Sequence, residues 1–297
     1  MTQNIEIELN AGDLVGESIL WCHEERSLYW IDICGRRIHR YEPDGARHDT
    51  WETPDFPTSI AMRKSGGFLV SLQNQVCFWQ PDGRFETFVE PEPDMPRNRL
   101  NEGRVAPDGS FWVASMQNNL NSDGSSRPMT ASTGAVYRID PSGNLKKLTE
   151  NIFGITNTMA WSDEGDFYFA DTMANAIYRF DYDAVSSTLG KRETLVSDIG
   201  QGAPDGSTLD TFGRLWNCRF GGGAVLCFDR NGSICETLRL PVKSPTSCTF
   251  GGKDLSTLYI TSAQFGLSDA EVVSNPIEGC LLSAKVGVVG NPEPKFG

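Results

Sequence analysis

The feature that most constrains the fold is a pattern that recurs six times along the chain. Each copy contains a short apolar strand, a turn that often holds Asp and Gly, and a second strand rich in aromatic residues. The copies occupy residues 19–32, 60–72, 104–116, 159–172, 208–219 and 248–262. A second hairpin follows each copy, with turn sequences such as Pro-Asp-Gly at 43–45 and 81–83. The pattern therefore predicts four strands in each unit.

Units of four strands that repeat at intervals of roughly 40 to 55 residues are typical of propeller blades. The sequence predicts an all-β fold, a six-bladed β-propeller with four-stranded blades, and one domain over residues 1–297. The alternating segment 4–9 precedes the first unit and is predicted to supply the outer strand of the last blade. That arrangement closes the ring, whereas a solenoid of the same strands would leave open edges.

The charge of the chain restricts its partners. Asp and Glu number 39 against 26 Lys and Arg, so the net charge is −13, which disfavours phosphate backbones and anionic lipid surfaces. No apolar run approaches the roughly 20 residues of a membrane span, and residues 1–10 lack a secretory pattern. We expect a cytoplasmic protein that acts on a small molecule and binds neither nucleic acid nor membrane. Its oligomeric state is left open.

The cysteines and histidines suggest no site of their own. The eight cysteines are scattered without a Cys-x-x-Cys pair, which favours reduced, buried thiols over zinc ligands or disulfides. The three histidines, His23, His39 and His48, lie in or beside turns and short strands, where solvated surface positions are expected. Histidine-based catalysis is therefore disfavoured.

Aligning the six units at the start of the innermost strand brings together a set of oxygen-bearing side chains. The set is Glu17, Thr58, Asn101, Asn157, Asp205 and Thr246. Equivalent positions of a propeller converge on its axis, so these residues are predicted to surround one mouth of the central channel. Carboxylate and amide oxygens without His or Cys suit a hard divalent cation such as calcium. The alternative is a ring of polar groups that hydrates a water-filled channel.

Two long segments are expected at the same mouth. Residues 117–133 and 263–278 connect strands and contain no recognisable strand or helix pattern, so each is either a lid over a site or a surface loop. Arg219 and the glycines at 221–223 fall in the equivalent loop of the fifth unit, where a tight turn is expected rather than a phosphate loop.

At these positions the sequence resembles the gluconolactonase family that includes senescence marker protein 30 and regucalcin. The resemblance runs from about residue 16 to residue 292, and the segment Phe-Gly-Leu-Ser at 265–268 looks most like bacterial sugar lactonases. The segments that carry it are Gly-Glu-Ser at 16–18, Arg-Leu-Asn-Glu-Gly at 99–103, Thr-Asn-Thr-Met-Ala-Trp at 156–161, Pro-Asp-Gly at 204–206 and Phe-Gly-Gly-Lys-Asp-Leu at 250–255.

The resemblance implies a six-bladed propeller that hydrolyses aldonolactones with a bound divalent metal. It implies that Glu17, Asn157 and Asp205 are the metal ligands and that Arg99 and Asn101 contact the substrate. Asn119 stands where regucalcin has a substrate-contacting glutamate, so the substrate preference of the animal enzyme does not transfer. Calcium is the first candidate for the metal, and zinc, magnesium and manganese are alternatives.

Three functions follow from this sequence. The favoured one is a metal-dependent lactonase in which Asp205 acts as general base or only as a ligand. A second is a phosphotriesterase-type hydrolase on the same propeller. The third is a non-catalytic, metal-binding propeller, which fold alone does not exclude.

Overall fold

A computed structural model describes residues 4–297, which form six four-stranded antiparallel sheets arranged as a six-bladed β-propeller. This confirms the predicted fold class. The first strand of the described residues is β1 (Ile5–Leu9), and blades 1 to 3 follow in chain order. Blade 1 contains β2 (Gly16–Cys22), β3 (Ser27–Asp32), β4 (Arg37–Glu42) and β5 (Arg47–Glu52). Blade 2 contains β6 (Ser59–Met62), β7 (Phe68–Ser71), β8 (Val76–Trp79) and β9 (Glu86–Val89). Blade 3 contains β10 (Asn98–Val105), β11 (Phe111–Gln117), β12 (Val136–Ile139) and β13 (Leu145–Lys147).

The second half of the chain forms blades 4 to 6. Blade 4 contains β14 (Thr156–Trp161), β15 (Asp166–Asp171), β16 (Ala176–Asp183) and β17 (Thr188–Ser197). Blade 5 contains β18 (Ala203–Leu209), β19 (Leu215–Phe220), β20 (Ala224–Phe228) and β21 (Ile234–Arg239). Blade 6 contains β22 (Pro245–Gly251), β23 (Thr257–Ser262), the short helix α1 (Asp269–Ser274) and β24 (Leu281–Lys285).

The ring closes as predicted. β1 pairs antiparallel with β24, and the register sets Ile5 opposite Ala284 and Ile7 opposite Leu282. The first strand of the chain is therefore the outer strand of the last blade, which removes an open sheet edge.

The hydrophobic core lies between consecutive blades. Trp21 of blade 1 stacks on Tyr259 of blade 6 with ring centroids 6.1 Å apart, and Trp112 of blade 3 meets Trp161 of blade 4 edge-on at 5.2 Å. Because each blade buries both faces of its inner strands against its neighbours, the apolar runs of the repeats are continuous rather than alternating. All eight cysteines are free thiols, and six of them are buried, as predicted. Within residues 4–297, no helix has the length and apolarity required to span a membrane.

Two expectations about local structure are wrong. Residues 263–278 are not structureless, because α1 begins there with Ser268 as its N-cap and Glu271 completing a capping box. His39 is not solvated. It is fully buried, stacks on Trp30 at 4.7 Å, and its Nδ1 lies 2.9 Å from Nε2 of His48. The repeat pattern placed the strand correctly but gave no sign of the buried acid that His39 faces.

That acid is Asp13, which ties the N-terminal segment to blade 1. Trp30 Nε1 donates to Asp13 Oδ2 at 2.8 Å, and His39 Nε2 lies 3.1 Å from Asp13 Oδ1. Burial raises the pKa of Asp13, although His39 partly offsets this. The carboxyl therefore accepts a hydrogen bond from the buried Trp30 indole, and its other oxygen lies at ion-pair distance from His39.

We expect Asp13→Ala to lower the free energy of unfolding by about 3 kcal/mol, because it leaves the buried indole N–H of Trp30 without an acceptor and removes the acid that faces His39. Urea unfolding measures the change. Asp44→Ala serves as the control, since Asp44 and its partner Arg26 are both exposed and such pairs contribute little. Equal stability of the Asp13 and Asp44 variants would contradict the structural role of Asp13.

Candidate active site

The candidate site is built by irregularities at the start of the inner strands. The pairing of β2 with β3 shifts register after Glu17, and that of β14 with β15 shifts after Asn157. The same shift occurs between Leu100 and Gly103 in β10 and between Pro204 and Ser207 in β18. A β-bulge bends the strand and re-aims the side chain beside it. The four inner strands therefore direct these side chains to one end of the channel.

The backbone conformation at two of these bulges is unusual. Ser18 and Thr158, which follow Glu17 and Asn157, have φ of 52° and 49°. This region is rare for non-glycine residues and a genuine outlier for a β-branched one. Both are held in place by the next blade. Ile60 N donates to Ser18 Oγ at 3.0 Å, and Thr158 Oγ1 donates to the backbone oxygen of Asp205.

One pocket at this end contains all six residues for which the resemblance implied a role in metal or substrate binding. Its polar lining comprises Glu17, Arg99, Asn101, Asn119, Asn157, Thr172 and Asp205. Thr58 and Thr246 from the same ring of positions do not line it. The Thr246 hydroxyl donates to the backbone oxygen of Gly16, and Thr58 Oγ1 donates to Ser71 O at 3.4 Å. The six aligned side chains are therefore not equivalent. Four of them line the pocket, and the hydroxyls of the two threonines bond to backbone oxygens.

Two buried carboxyl groups lie at the floor of the pocket. Glu17 and Asp205 are within hydrogen-bonding reach of each other, and both are almost fully buried. Burial, together with repulsion from Glu102, raises the pKa of Glu17 to about 8. Burial and the charge of Glu17 raise the pKa of Asp205 well above its ordinary range. Asp205 Oδ1 is buried and has no hydrogen-bond donor among the described residues.

A chain of amides orients the third oxygen. Asn157 Nδ2 donates to Thr172 Oγ1 at 2.8 Å, which leaves Asn157 Oδ1 on the side of Asn101, whose Nδ2 lies 3.3 Å away. Asn101 Nδ2 also donates to Thr156 O at 2.6 Å. A hard divalent cation is typically bound by carboxylate and amide oxygens. This pocket offers two acidic groups that repel each other, an unpartnered carboxylate oxygen and an oriented amide oxygen. The residues present thus fit such an ion.

Arg99 forms the polar side wall. Its Nε and Nη2 donate to Asn119 Oδ1 at 3.0 and 2.9 Å, and its Nη1 donates to Asn101 Oδ1 at 2.6 Å. Burial lowers the pKa of Arg99 to about 10, so the group stays charged at neutral pH. The sequence singled out Arg99 and Asn119 separately. Their mutual contact joins the start of β10 to the loop after β11.

The remaining walls are apolar, and sequence reasoning missed them. They consist of Val15, Ile33, Cys34, Leu120, Ile155, Phe220 and Phe265. Leu120 belongs to the segment 117–133 and Phe265 to the segment 263–278, so both long segments contribute to the pocket. The first crosses to blade 1, where Arg36 Nη2 donates to Ser122 O at 2.7 Å. Arg219, in contrast, lies within β19, one residue before its end, as a fully buried structural residue rather than in a loop.

A second cluster of buried acids does not suit a cation. Asp13, Asp32 and His39 lie within 4.8 Å of one another. Asp32 Oδ1 accepts from Val15 N at 2.9 Å, and Asp32 Oδ2 already faces the guanidinium of Arg37 at 2.8 Å. Arg37 therefore supplies the positive charge in this cluster.

Comparison with known proteins finds relatives that match this chain over nearly its whole length. A family model described as the SMP-30/gluconolactonase/LRE-like region matches residues 15–264. A 6-deoxy-6-sulfogluconolactonase of Pseudomonas putida is 30% identical over 100% of this chain and 99% of its own length. Regucalcin of Danio rerio is 31% identical, over 97% and 96% of the two chains. The crystal structure of a calcium-binding protein, regucalcin, from Agrobacterium tumefaciens matches with a TM-score of 0.90 at 27% identity, covering 100% of this chain and 97% of that one.

Proposed function

Because this chain belongs to the SMP-30/gluconolactonase/LRE-like family, we propose that it is a lactonase that hydrolyses a sugar lactone to the corresponding sugar acid. The observation that carries the proposal is the pair of desolvated carboxyl groups, Glu17 and Asp205, on the floor of a pocket whose wall presents a charged arginine. The name of the Pseudomonas putida relative supports the lactone substrate.

We further propose that Glu17, Asn157 and Asp205 hold one divalent cation. When bound, such an ion polarises an ester carbonyl and acidifies water. The all-oxygen donor set favours calcium, and magnesium, manganese and zinc are the alternatives to compare. The calcium-binding relative from Agrobacterium tumefaciens supports this order.

The roles of the remaining residues follow from their contacts. Asp205, whose Oδ1 has no donor, accepts the proton of the attacking water. Water adds to the carbonyl carbon, the bond between that carbon and the ring oxygen breaks, and the proton passes to the departing ring oxygen as the acid forms. Arg99, Asn101 and Asn119 bind and orient the sugar ring, and the apolar wall, including Leu120 and Phe265, limits access of bulk water.

We also propose that residues 1–297 are a single domain. Support comes from blade 6, whose four strands come from both ends of the chain. Neither β1 nor β24 could then be removed without opening the ring.

A substrate panel tests the function. We expect a pH-drop assay to detect hydrolysis of neutral or anionic aldonolactones, loss of turnover on chelation, and recovery on addition of calcium. Organophosphate esters in the same panel identify a phosphotriesterase. Cation binding without turnover of any ester or lactone would contradict the proposal and indicate a binding protein.

A further inference from the structure

We propose, resting on the lactonase function above, that the preferred substrate carries an anionic substituent on its carbon chain, which Arg99 binds. The substituent is a carboxylate, sulfonate or phosphate group away from the lactone carbonyl. Arg99 is free to bind this anion because its neighbour Asn119 is neutral and not an acid.

Arg99 is a buried cation whose protein partners are all neutral. The residue is 5% exposed, and its guanidinium donates to Asn119 Oδ1, Leu100 O and Asn101 Oδ1. No carboxylate in the described part of the chain accepts a hydrogen bond from it. Arginine is seldom fully buried without an ionic partner, because the desolvated charge is costly. An anionic ligand would provide the missing partner.

The hydrogen-bond capacity of Arg99 is also incomplete. Its Nε and Nη2 share the single oxygen Asn119 Oδ1, so one Nη2 hydrogen has no acceptor within residues 4–297. Arg219 gives the contrast, because its hydrogen-bond acceptors are also neutral but it uses both Nη2 hydrogens, on Asn175 Oδ1 and Gly202 O. Arg219 does not line the pocket, whereas Arg99 does. The spare donor of Arg99 therefore points to a ligand.

The other charges near the pocket form no ion pair or hydrogen bond with Arg99 in the described part of the chain, although the charge of Glu17 partly offsets the effect of burial on the pKa of Arg99. Glu17 and Asp205 lie against each other and are assigned to the cation, whose two positive charges they balance. Deeper in the channel, Glu102 and Glu293 surround Arg104, and Arg104 Nη1 lies 3.4 Å from Glu293 Oε1. Among the described residues that line the pocket, Arg99 is the one cation. A loaded site thus presents an unpaired positive charge to its ligand.

The walls beside Arg99 strengthen this selection. Cys34 and Leu120 line the pocket with apolar surface, and neither competes for the ligand with a charge. A bound anion would be removed from water and would meet the guanidinium in a region of low dielectric constant, where charge-assisted hydrogen bonds are strongest. The Nδ2 group of Asn119 would add a second donor, since its oxygen is already committed to Arg99.

A matched pair of substrates tests the inference. D-Glucono-1,4-lactone and D-glucaro-1,4-lactone differ at C6, which is a hydroxymethyl group in the first and a carboxylate in the second. We expect kcat/KM to be at least tenfold higher for the glucarolactone. Lactones with a 6-phosphate or a 6-sulfonate group then determine which anion is preferred.

Variants identify the residue responsible. Asn119→Asp preserves shape but pairs Arg99 with an internal acid, so we expect the ratio of the two kcat/KM values to fall at least tenfold, mainly through KM of the anionic lactone. Asn118→Asp is the matched control. The oxygen of Asn118 caps Leu120 N at 3.0 Å and its side chain does not line the pocket, so the ratio should stay within about threefold of the wild-type value.

Binding to an inactive protein separates this inference from the proposed function. Calorimetry with the Asp205→Asn variant, whose turnover is expected to be at least about a hundredfold slower, measures the binding of both lactones, and we expect tighter binding of the glucarolactone. Equal affinity and equal kcat/KM for the two lactones overturn the inference while leaving the lactonase function intact. Absence of hydrolysis of every lactone, with the binding preference retained, overturns the function and leaves the anion site.

Discussion

Replacing Asp205 with asparagine is expected to reduce lactone turnover by about 10²- to 10⁴-fold, the range found when a general acid or base is removed. The amide cannot take the proton of the attacking water, and it also removes one of the two charges that hold the cation. Glu17→Gln should abolish turnover as well, because it removes the other charge. Turnover of each variant is measured at saturating calcium.

The same Asp205 substitution should make the cation-free protein more stable. Burial and the charge of Glu17 raise the pKa of Asp205 in the native state. Between the pKa of Asp205 in the unfolded chain and its raised pKa in the native state, the native state binds more protons, so stability falls as pH rises through that range. Asparagine removes this penalty. In the presence of chelator, we expect the Tm of the variant to exceed that of the wild type at pH 8, with a smaller difference at pH 5.

Asp181→Asn is the matched control, since Asp181 is an exposed residue of β16. It should change neither turnover nor Tm. Near-normal turnover by the Asp205 or Glu17 variant would show that the carboxyl pair is not required for catalysis. A lower Tm of the Asp205 variant at pH 8 would show that the pair stabilises the fold rather than straining it.

The sequence predicted the blades because their signal is repeated. Each unit places apolar residues on both faces of its inner strands, and six such units can bury these faces only by packing in a closed ring. The same repetition brought Glu17, Asn101, Asn157 and Asp205 into alignment, since equivalent positions converge on one axis. The convergence was predictable without knowledge of any contact.

The departures from symmetry were not predictable in this way. Thr58 and Thr246 occupy equivalent positions but bond to backbone oxygens, because a threonine hydroxyl is short and reaches an adjacent strand, which belongs to the same blade for Thr58 and to the next blade for Thr246. Long-range contacts determine the pairing of Arg99 with Asn119 and the path of residues 117–133 to blade 1. Such contacts produce no periodic pattern in the sequence. The burial of His39 likewise depends on Asp13, a residue outside the repeats.

Cation binding should displace protons, and this gives the second large effect. Without the ion, Glu17 has a pKa of about 8 and is largely protonated at pH 6, so calcium must compete with a proton for the site. If one proton is displaced, we expect the apparent calcium affinity to rise by up to about tenfold for each pH unit between 6 and 8. Above that range the affinity should level off. Calorimetric titration with calcium at four pH values, in buffers of different ionisation enthalpy, measures both the affinity and the protons released.

Variants show whether the protons come from this site. Glu17→Gln has one carboxyl fewer to titrate, so its calcium affinity should be weaker and should depend less steeply on pH, while Asp181→Asn should match the wild type. Calcium should raise the Tm of the wild type as its concentration increases above Kd, because it binds only the folded state, and it should raise that of Glu17→Gln far less. A calcium affinity that does not change between pH 6 and 8 would mean that the ion is held by other groups. The raised pKa of the carboxyl pair would then have to reflect burial without any role in cation binding.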